Sequence, residues 1–166
     1  TSNNNTAVGS ECMYTHTSGG QNTAVGKAAL YTNTTGANNI AIGYEALKLA
    51  TTADDNTVIG TQAGDAITTG HTNTLIGRHA GGVISTGHEN VAIGGNALDA
   101  LTTGNDHVAV GYAALSALTT GARCVAVGYA AGANMTTGDD NTCIGYDAGV
   151  QITTGGTNVC VGTYAG

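Results

Sequence analysis

The sequence of 166 residues contains no Phe, no Trp and no Pro, and it has only seven Tyr. Its other apolar residues are mostly Ala, Val, Ile and Leu. A roughly spherical core without large side chains would leave space unfilled, whereas protein interiors reach a packing density of ~0.75. Small side chains fill a narrow core well. The composition therefore favours a thin coil or the axis of a tight oligomer over an ordinary globular domain.

Charge is also scarce. Only 9% of the residues are charged, against ~25% in ordinary domains, and four basic residues leave a net charge of −7. Nucleic acids and anionic membrane surfaces both require clustered Lys or Arg, so we expect neither as a partner. No apolar run approaches the ~18 residues of a membrane-spanning helix, and no signal peptide is recognisable. The uncharged surface must consist of Thr, Asn, Gly and Ser.

What the sequence does contain is a strict repeat. A glycine closes an A-V-G or related triplet every 17 residues without insertion or deletion, at Gly9, Gly26, Gly43, Gly60, Gly77, Gly94, Gly111, Gly128, Gly145 and Gly162. A second small-residue column follows ten residues later and is Gly in all copies except Ala53. A period without drift indicates that each repeat occupies an equivalent place in space. Residues 1–166 are therefore interpreted as one repeat array. Because the array starts and ends within a repeat, we expect it to be a segment of a longer fibre or a subunit covered by neighbours.

The N-T-A-V-G part of each repeat is predicted to be a short strand. Its fourth position is Val or Ile in all ten copies, beginning with Val8, Val25, Ile42 and Ile59. We expect this row to face a core. The preceding position is mostly small, and successive strand residues point to opposite faces. Both faces therefore look buried, as in a parallel sheet or between subunits.

The middle of the repeat is ambiguous. Fuller copies read Y-x-A-L-x-x-L, as in residues 112–118, and this spacing fits a short helical turn as well as a bent strand. Other copies replace the Leu by Gly, at Gly64, Gly81, Gly132 and Gly149, which weakens a helix. The following T-T-G is predicted to be a turn whose Gly supplies a positive φ.

If each repeat closes one coil, stacked strands ~4.8 Å apart make ten coils into a rod on the order of 50 Å long. Equivalent side chains then lie above one another. The Asn column is predicted to form a hydrogen-bonded amide ladder that His107 and Cys124 interrupt, and its members are Asn5, Asn22, Asn39, Asn56, Asn73, Asn90, Asn141 and Asn158. A single coil holds only about four small apolar residues, and we therefore favour a homotrimer, with a single-chain solenoid as the alternative. The predicted fold class is all-β, with possible short helical turns: a parallel β-solenoid or β-roll of ten 17-residue repeats.

The pattern N-T-A-[VI]-G-Y-x-A-L-x-x-x-T-T-G resembles the repeats of tail-fibre proteins of bacteriophages and large viruses, which often precede a self-cleaving chaperone domain. It is more distantly similar to the A-[IV]-G repeats in the heads of trimeric autotransporter adhesins, which are parallel β-rolls wound as trimers. The resemblance covers the whole chain, although no chaperone domain is present and the period exceeds that of the adhesin heads. It implies an extended trimeric shaft or receptor-contacting region on a virion surface, with a bacterial cell surface as the alternative setting.

Two columns are candidate binding sites for a host glycan or receptor. Tyr112, Tyr129 and Tyr146 share one column and suggest a strip on which sugars stack, although rings lying between neighbouring chains are the structural alternative. His71 and His88 share a turn position, and solvated turn histidines are the alternative to a surface metal site. Nearby Asp residues lack the spacing of a Ca²⁺-binding loop. We therefore predict no metal site and no cofactor.

The remaining chemistry-bearing residues favour structural roles. Cys143 and Cys160 lie one repeat apart, within disulfide range if stacked, but they replace Ala and are interpreted as free buried thiols. Rows of Thr raise an ice-binding hypothesis, which Ile and Val weaken by interrupting the strand column. No catalytic constellation stands out, so we do not expect an enzyme. The sequence thus predicts a structural or adhesive fibre segment, with a glycan- or receptor-binding module second and an ice-binding solenoid third.

Overall fold

The computed structural model describes residues 4–166, so the first three residues, which open the incomplete first repeat, lie outside it. Ten three-residue strands form one sheet in chain order. The strands are β1 (Thr6–Val8), β2 (Thr23–Val25), β3 (Ile40–Ile42), β4 (Thr57–Ile59), β5 (Thr74–Ile76), β6 (Val91–Ile93), β7 (Val108–Val110), β8 (Val125–Val127), β9 (Thr142–Ile144) and β10 (Val159–Val161). The prediction of an all-β parallel solenoid with a 17-residue repeat is confirmed.

Every strand pairs in parallel with the next one, and each residue lies opposite the residue 17 positions later. Ala24 pairs with Ala41, for example, and Ala41 pairs with Val58. One repeat therefore makes one coil. Between residues 4 and 166 there is no helix long and apolar enough to cross a membrane.

Each strand is followed by a position that only glycine can occupy. Gly26 has φ 134°, and a Cβ placed on it would lie 2.7 Å from the carbonyl carbon of Gly43 in the next coil. An L side chain would clash with that backbone and would also strain its own. The strict 17-residue glycine period is thus a consequence of coils stacked at strand spacing.

The middle of the repeat is neither a helical turn nor a second strand. Two residues in each copy, such as Ala28 (φ 55°) and Leu30 (φ 51°), adopt the left-handed conformation, and Ala29 lies between them. Their amides bond to neighbouring coils, from Ala28 N to Ser10 O (2.9 Å) and from Leu30 N to Ala46 O (3.0 Å). Because alternate residues change handedness, the segment cannot propagate a helix, and residues 4–166 contain no helix.

The core lies inside the coil and is lined by the small strand position, not by the Val/Ile row. The middle strand residue is buried in β2 to β10, whereas Val25 and Ile59 are only half-buried and Ile42 is 37% exposed. The expectation that the Val/Ile row faces a core is therefore wrong for a single chain. The interior of a 17-residue coil is too narrow for large strand residues in every repeat, because residues from the rest of the coil, such as Leu47, fill it.

Two positions of a coil share the same space in the core: the middle residue of the strand and the second left-handed residue. A large side chain at one of them can take the place of a large side chain at the other. In the coil whose strand position is Ala92, the left-handed position holds Leu98. Where the strand position is Leu75, the left-handed position is Gly81. A Cβ on Gly81 would lie 2.7 Å from Ile84 Cδ1 and 3.0 Å from Leu75 Cδ1. Those two side chains occupy the space that Leu98 fills in the next coil, which explains why position 81 is Gly.

This exchange predicts strong coupling between Leu75 and Gly81. Leu75→Ala alone should cost ~2–5 kcal/mol of unfolding free energy through a cavity, and Gly81→Leu alone ~1–3 kcal/mol through overpacking. The double variant reproduces the pairing of Ala92 with Leu98, and its cost should fall short of the sum by at least ~1 kcal/mol. Denaturant unfolding followed by circular dichroism measures the cycle. Additive costs would contradict the exchange.

Candidate functional site

A ladder of buried Asn side chains runs along the inside of the solenoid. Asn39 illustrates the geometry: its backbone N and its Nδ2 both donate to Asn22 Oδ1, at 2.9 and 3.1 Å, and its Nδ2 also donates to Ala53 O at 2.7 Å. Asn56 repeats the arrangement with Asn39 and Gly70. Asn22, Asn39 and Asn56 are fully buried. Each amide therefore satisfies the backbone of its own coil and of the coils beside it, and no part of it is available to a ligand.

His107 replaces one Asn of the ladder. Its side chain supplies an acceptor for the backbone of the next coil and a donor to a turn carbonyl, as the Asn side chain does. Its backbone N donates to Asn90 Oδ1 (3.2 Å), and its Nδ1 accepts from Cys124 N (3.2 Å). The proton of the neutral ring therefore lies on Nε2, which faces Gly121 O at 3.1 Å. Cys124 then supplies only a donor, from Sγ to Gly138 O (3.1 Å). The sequence indicated an interruption here, but the histidine continues the ladder with two ring nitrogens in place of an amide.

The ladder predicts a large cost for a single truncation. Asn56→Ala removes the acceptor of Asn73 N (3.0 Å) and the donor to Gly70 O (2.9 Å). Each buried group left unpaired costs about 1–3 kcal/mol, so the unfolding free energy should fall by roughly 3 kcal/mol or more. Thr52→Ala, on the exposed surface of the same coil, is the matched control and should change stability by less than ~0.5 kcal/mol. Equal effects of the two variants in denaturant unfolding would refute the structural role of Asn56.

The His107 position also predicts a pH dependence. Burial lowers the pKa of His107, and the bond to Gly121 and the charges of Asp106 and Asp139 oppose this only in part. As pH falls through the ordinary histidine pKa of ~6.5, His107 becomes protonated in the unfolded chain while it stays neutral in the folded chain. The free energy of unfolding therefore falls. Protonation would also place a hydrogen on Nδ1 against Cys124 N–H.

His107→Asn is the control, because it retains the ladder without the titrating ring. We expect thermal unfolding midpoints measured between pH 7.5 and pH 5 to fall more steeply in the natural protein than in His107→Asn. The other four histidines are common to both proteins and cancel in the comparison. Parallel pH profiles would show that His107 does not carry the effect.

The predicted tyrosine column is present as a stack of rings on the outside of the rod. The ring centroids of Tyr112 and Tyr129 are 5.4 Å apart with planes 18° from parallel, and those of Tyr129 and Tyr146 are 5.1 Å apart at 8°. Tyr164 meets Tyr146 edge-on at 5.5 Å. Tyr129 is 49% exposed, but its two faces are turned towards its neighbours. Ring edges and hydroxyl groups, and not open ring faces, are therefore what this column presents to a ligand.

The two turn histidines are also brought together. The His71 and His88 rings stack with centroids 4.8 Å apart and planes within 3°. His71 Nδ1 lies 3.2 Å from Thr72 Oγ1, whereas His88 Nδ1 lies 3.6 Å from Glu89 Oε2, beyond hydrogen-bond distance. The lone pair of an imidazole nitrogen lies in the plane of its ring, so two parallel stacked rings do not both direct a nitrogen at one ion. Residues 4–166 contain no group of three or more His, Cys, Asp or Glu side chains arranged to hold a metal.

Several polar side chains of the turns form specific hydrogen bonds with the backbone of an adjacent coil. Asp54 Oδ1 accepts from Ala37 N (2.7 Å), and Asp139 Oδ1 accepts from Ala122 N (2.8 Å), in each case one coil earlier. The first Thr of the T-T-G turn is equally specific: Thr34 Oγ1 donates to Thr51 O at 2.9 Å. Each of these contacts joins two residues that are 17 positions apart in the sequence. The repeat period therefore identifies the partners, because residues 17 positions apart lie in adjacent coils.

The four cysteines are free thiols, and none is joined to another by a disulfide. Cys143 and Cys160 lie opposite each other in β9 and β10 and are buried. Burial is the main reason that the pKa of the Cys143 thiol rises to about 11, so that it stays protonated at neutral pH. Both thiols fill the interior beside a glycine in the left-handed position, at Gly149 and Gly166. They behave as small core side chains.

The outward side of the strands forms a uniform surface, which we call the β-branched face. It consists of the first and third residues of β1 to β10, and all twenty are Thr, Val or Ile. Ile40, Ile42 and Ile144 are 37–40% exposed. β-Branched side chains are stiff at χ1, so the face is a rigid, uncharged array of methyl groups with the hydroxyl groups of five Thr residues among them. The strand pattern in the sequence predicts the opposite orientation, with the Val/Ile row turned inward.

The part of the chain from residue 4 onwards has no pocket. The chain matches no protein-family model, no curated protein and no solved structure.

Proposed function

We propose that this chain is a segment of a homotrimeric structural and adhesive fibre that works outside the cell. The shaft or host-attachment region of a viral tail fibre is the proposed setting, and a bacterial surface adhesin is the alternative. The observation that carries this proposal is the unbroken axial hydrogen bonding of ten in-register strands and the segments between them. In each coil the strand, the left-handed segment and the turn all bond to the adjacent coils.

Such bonding suits a stiff spacer. Strand-to-strand spacing of ~4.8 Å gives ten coils a length on the order of 50 Å, and each coil adds the same increment. The sequence resemblance to tail-fibre repeats supports the same function. An exposed and uncharged face along the whole rod supports self-association, because large exposed apolar surfaces mark interaction sites.

A glycan- or receptor-binding module is the second candidate, and the exposed tyrosine column is the feature that favours it. The stacked rings of Tyr112, Tyr129 and Tyr146 offer hydroxyl groups at regular intervals, which suits hydrogen bonding to a polymeric ligand better than stacking against sugar faces. Adhesion through this column is compatible with a fibre, since shaft and attachment site can lie on different sides of one rod. The third candidate, ice binding, would use a flat outward face and would require that face to remain free of other chains.

The oligomeric state tests the fibre proposal. Multi-angle light scattering of the purified segment should give three times the chain mass of 16.3 kDa across a tenfold concentration range. Small-angle X-ray scattering of the same sample should give an elongated particle. A monodisperse particle of 16.3 kDa at every concentration would overturn the trimer.

A further inference from the structure

We infer that the β-branched face is the contact surface between copies of this chain. The inference rests on the proposed function, since it names the face through which the fibre associates. Three properties of the face lead to it: its composition, its spacing and its area.

The first property is composition. All twenty positions of the face are Thr, Val or Ile, whereas the chain as a whole carries a net charge of −7. The charged side chains lie elsewhere, as in the Lys48–Glu45 pair of the left-handed segment and the Arg123–Asp140 pair of the turn. Two copies that meet through a side that carries these residues would bring acidic groups together. Two copies that meet through the β-branched face bury no charge.

The second property is spacing. The outward side chains repeat once per coil without a change of register from β1 to β10. Ridges of stiff side chains therefore alternate with grooves at the strand spacing of ~4.8 Å. A partner can interdigitate along the whole length only if its own surface has the same period. A second copy of this chain has that period by construction, whereas an irregular protein surface would lose register after one or two coils.

The third property is area. A strip on the order of 50 Å by 10 Å offers about 500 Å² per chain, so two chains would bury about 1,000 Å² and three about 1,500 Å². Specific interfaces bury about 1,200–2,000 Å² in total. Two facing strips come close to this range. Each chain contributes the same area in a dimer as in a trimer, so the area is that of a small specific interface in either assembly.

The experiment compares two matched double lysine variants. Ile42→Lys/Ile93→Lys places charges on the β-branched face, where both residues are 37% exposed. Thr35→Lys/Thr86→Lys places the same charges, at the same separation of three coils, on the exposed turn side of the rod. Sedimentation velocity over a concentration series gives the assembly state. Circular dichroism verifies that each variant keeps the solenoid.

We expect the Ile42/Ile93 variant to need at least about tenfold more protein for half-assembly, because like charges would meet around the axis. The Thr35/Thr86 variant should assemble like the natural protein. Should the lysine variant not fold, Ile42→Thr/Ile93→Thr replaces it, since Thr already occupies outward positions such as Thr23 and Thr57. It should weaken assembly in the same direction.

The outcomes separate this inference from the proposed function. A natural protein that is trimeric, together with an Ile42/Ile93 variant that assembles equally well, overturns the contact face and leaves the fibre proposal standing. A monomeric natural protein overturns both. Thermal hysteresis in the monomer that disappears in the Ile42/Ile93 variant would assign the face to crystalline water and would likewise overturn the contact between copies.

Discussion

Coil-to-coil hydrogen bonding is the interaction on which the rest of this structure depends. Each strand has only three residues, too few to be stable alone. It is stabilised by parallel pairing with the strands of the adjacent coils. Asn39 shows how the inside of the coil takes part, because its amide joins the backbone of one coil to Asn22 of the coil before. Stacking at one fixed period then dictates the glycines, since a Cβ at Gly26 would collide with the next coil.

The backbone of the coil is fixed, but its side chains can vary. A substitution is accommodated where another side chain fills the same volume or makes the same hydrogen bonds. Leu75 with Gly81 and Ala92 with Leu98 fill the same interior in two ways. His107 with its two ring nitrogens replaces an amide. Such exchanges preserve the period while the letters change, which is how a repeat drifts in sequence and keeps its geometry. The left-handed position accepts Leu because burial of the Leu side chain offsets the cost of a positive φ.

The division of the surface into columns links this architecture to the proposed fibre. Because every seventeenth residue shares a side of the rod, the tyrosine stack, the histidine pair and the β-branched face are separate stripes. A stripe can associate with other chains while another meets a ligand. The aromatic rings at Tyr112, Tyr129 and Tyr146 stack on one another, and this contact converts a predicted set of open ring faces into a row of edges and hydroxyl groups.

The sequence by itself determined the 17-residue coil, the parallel strands and the alignment of the Asn column, because an exact period fixes which residues are neighbours. It did not determine which side of each strand faces inward. Ala24 and Val25 are adjacent and both apolar, and only the closed coil showed that the interior has room for the smaller one. Tertiary structure also decided the middle segment, where Ala28 and Leu30 adopt left-handed conformations. No local propensity favours that conformation for these residues; bonds to neighbouring coils and burial of Leu30 impose it.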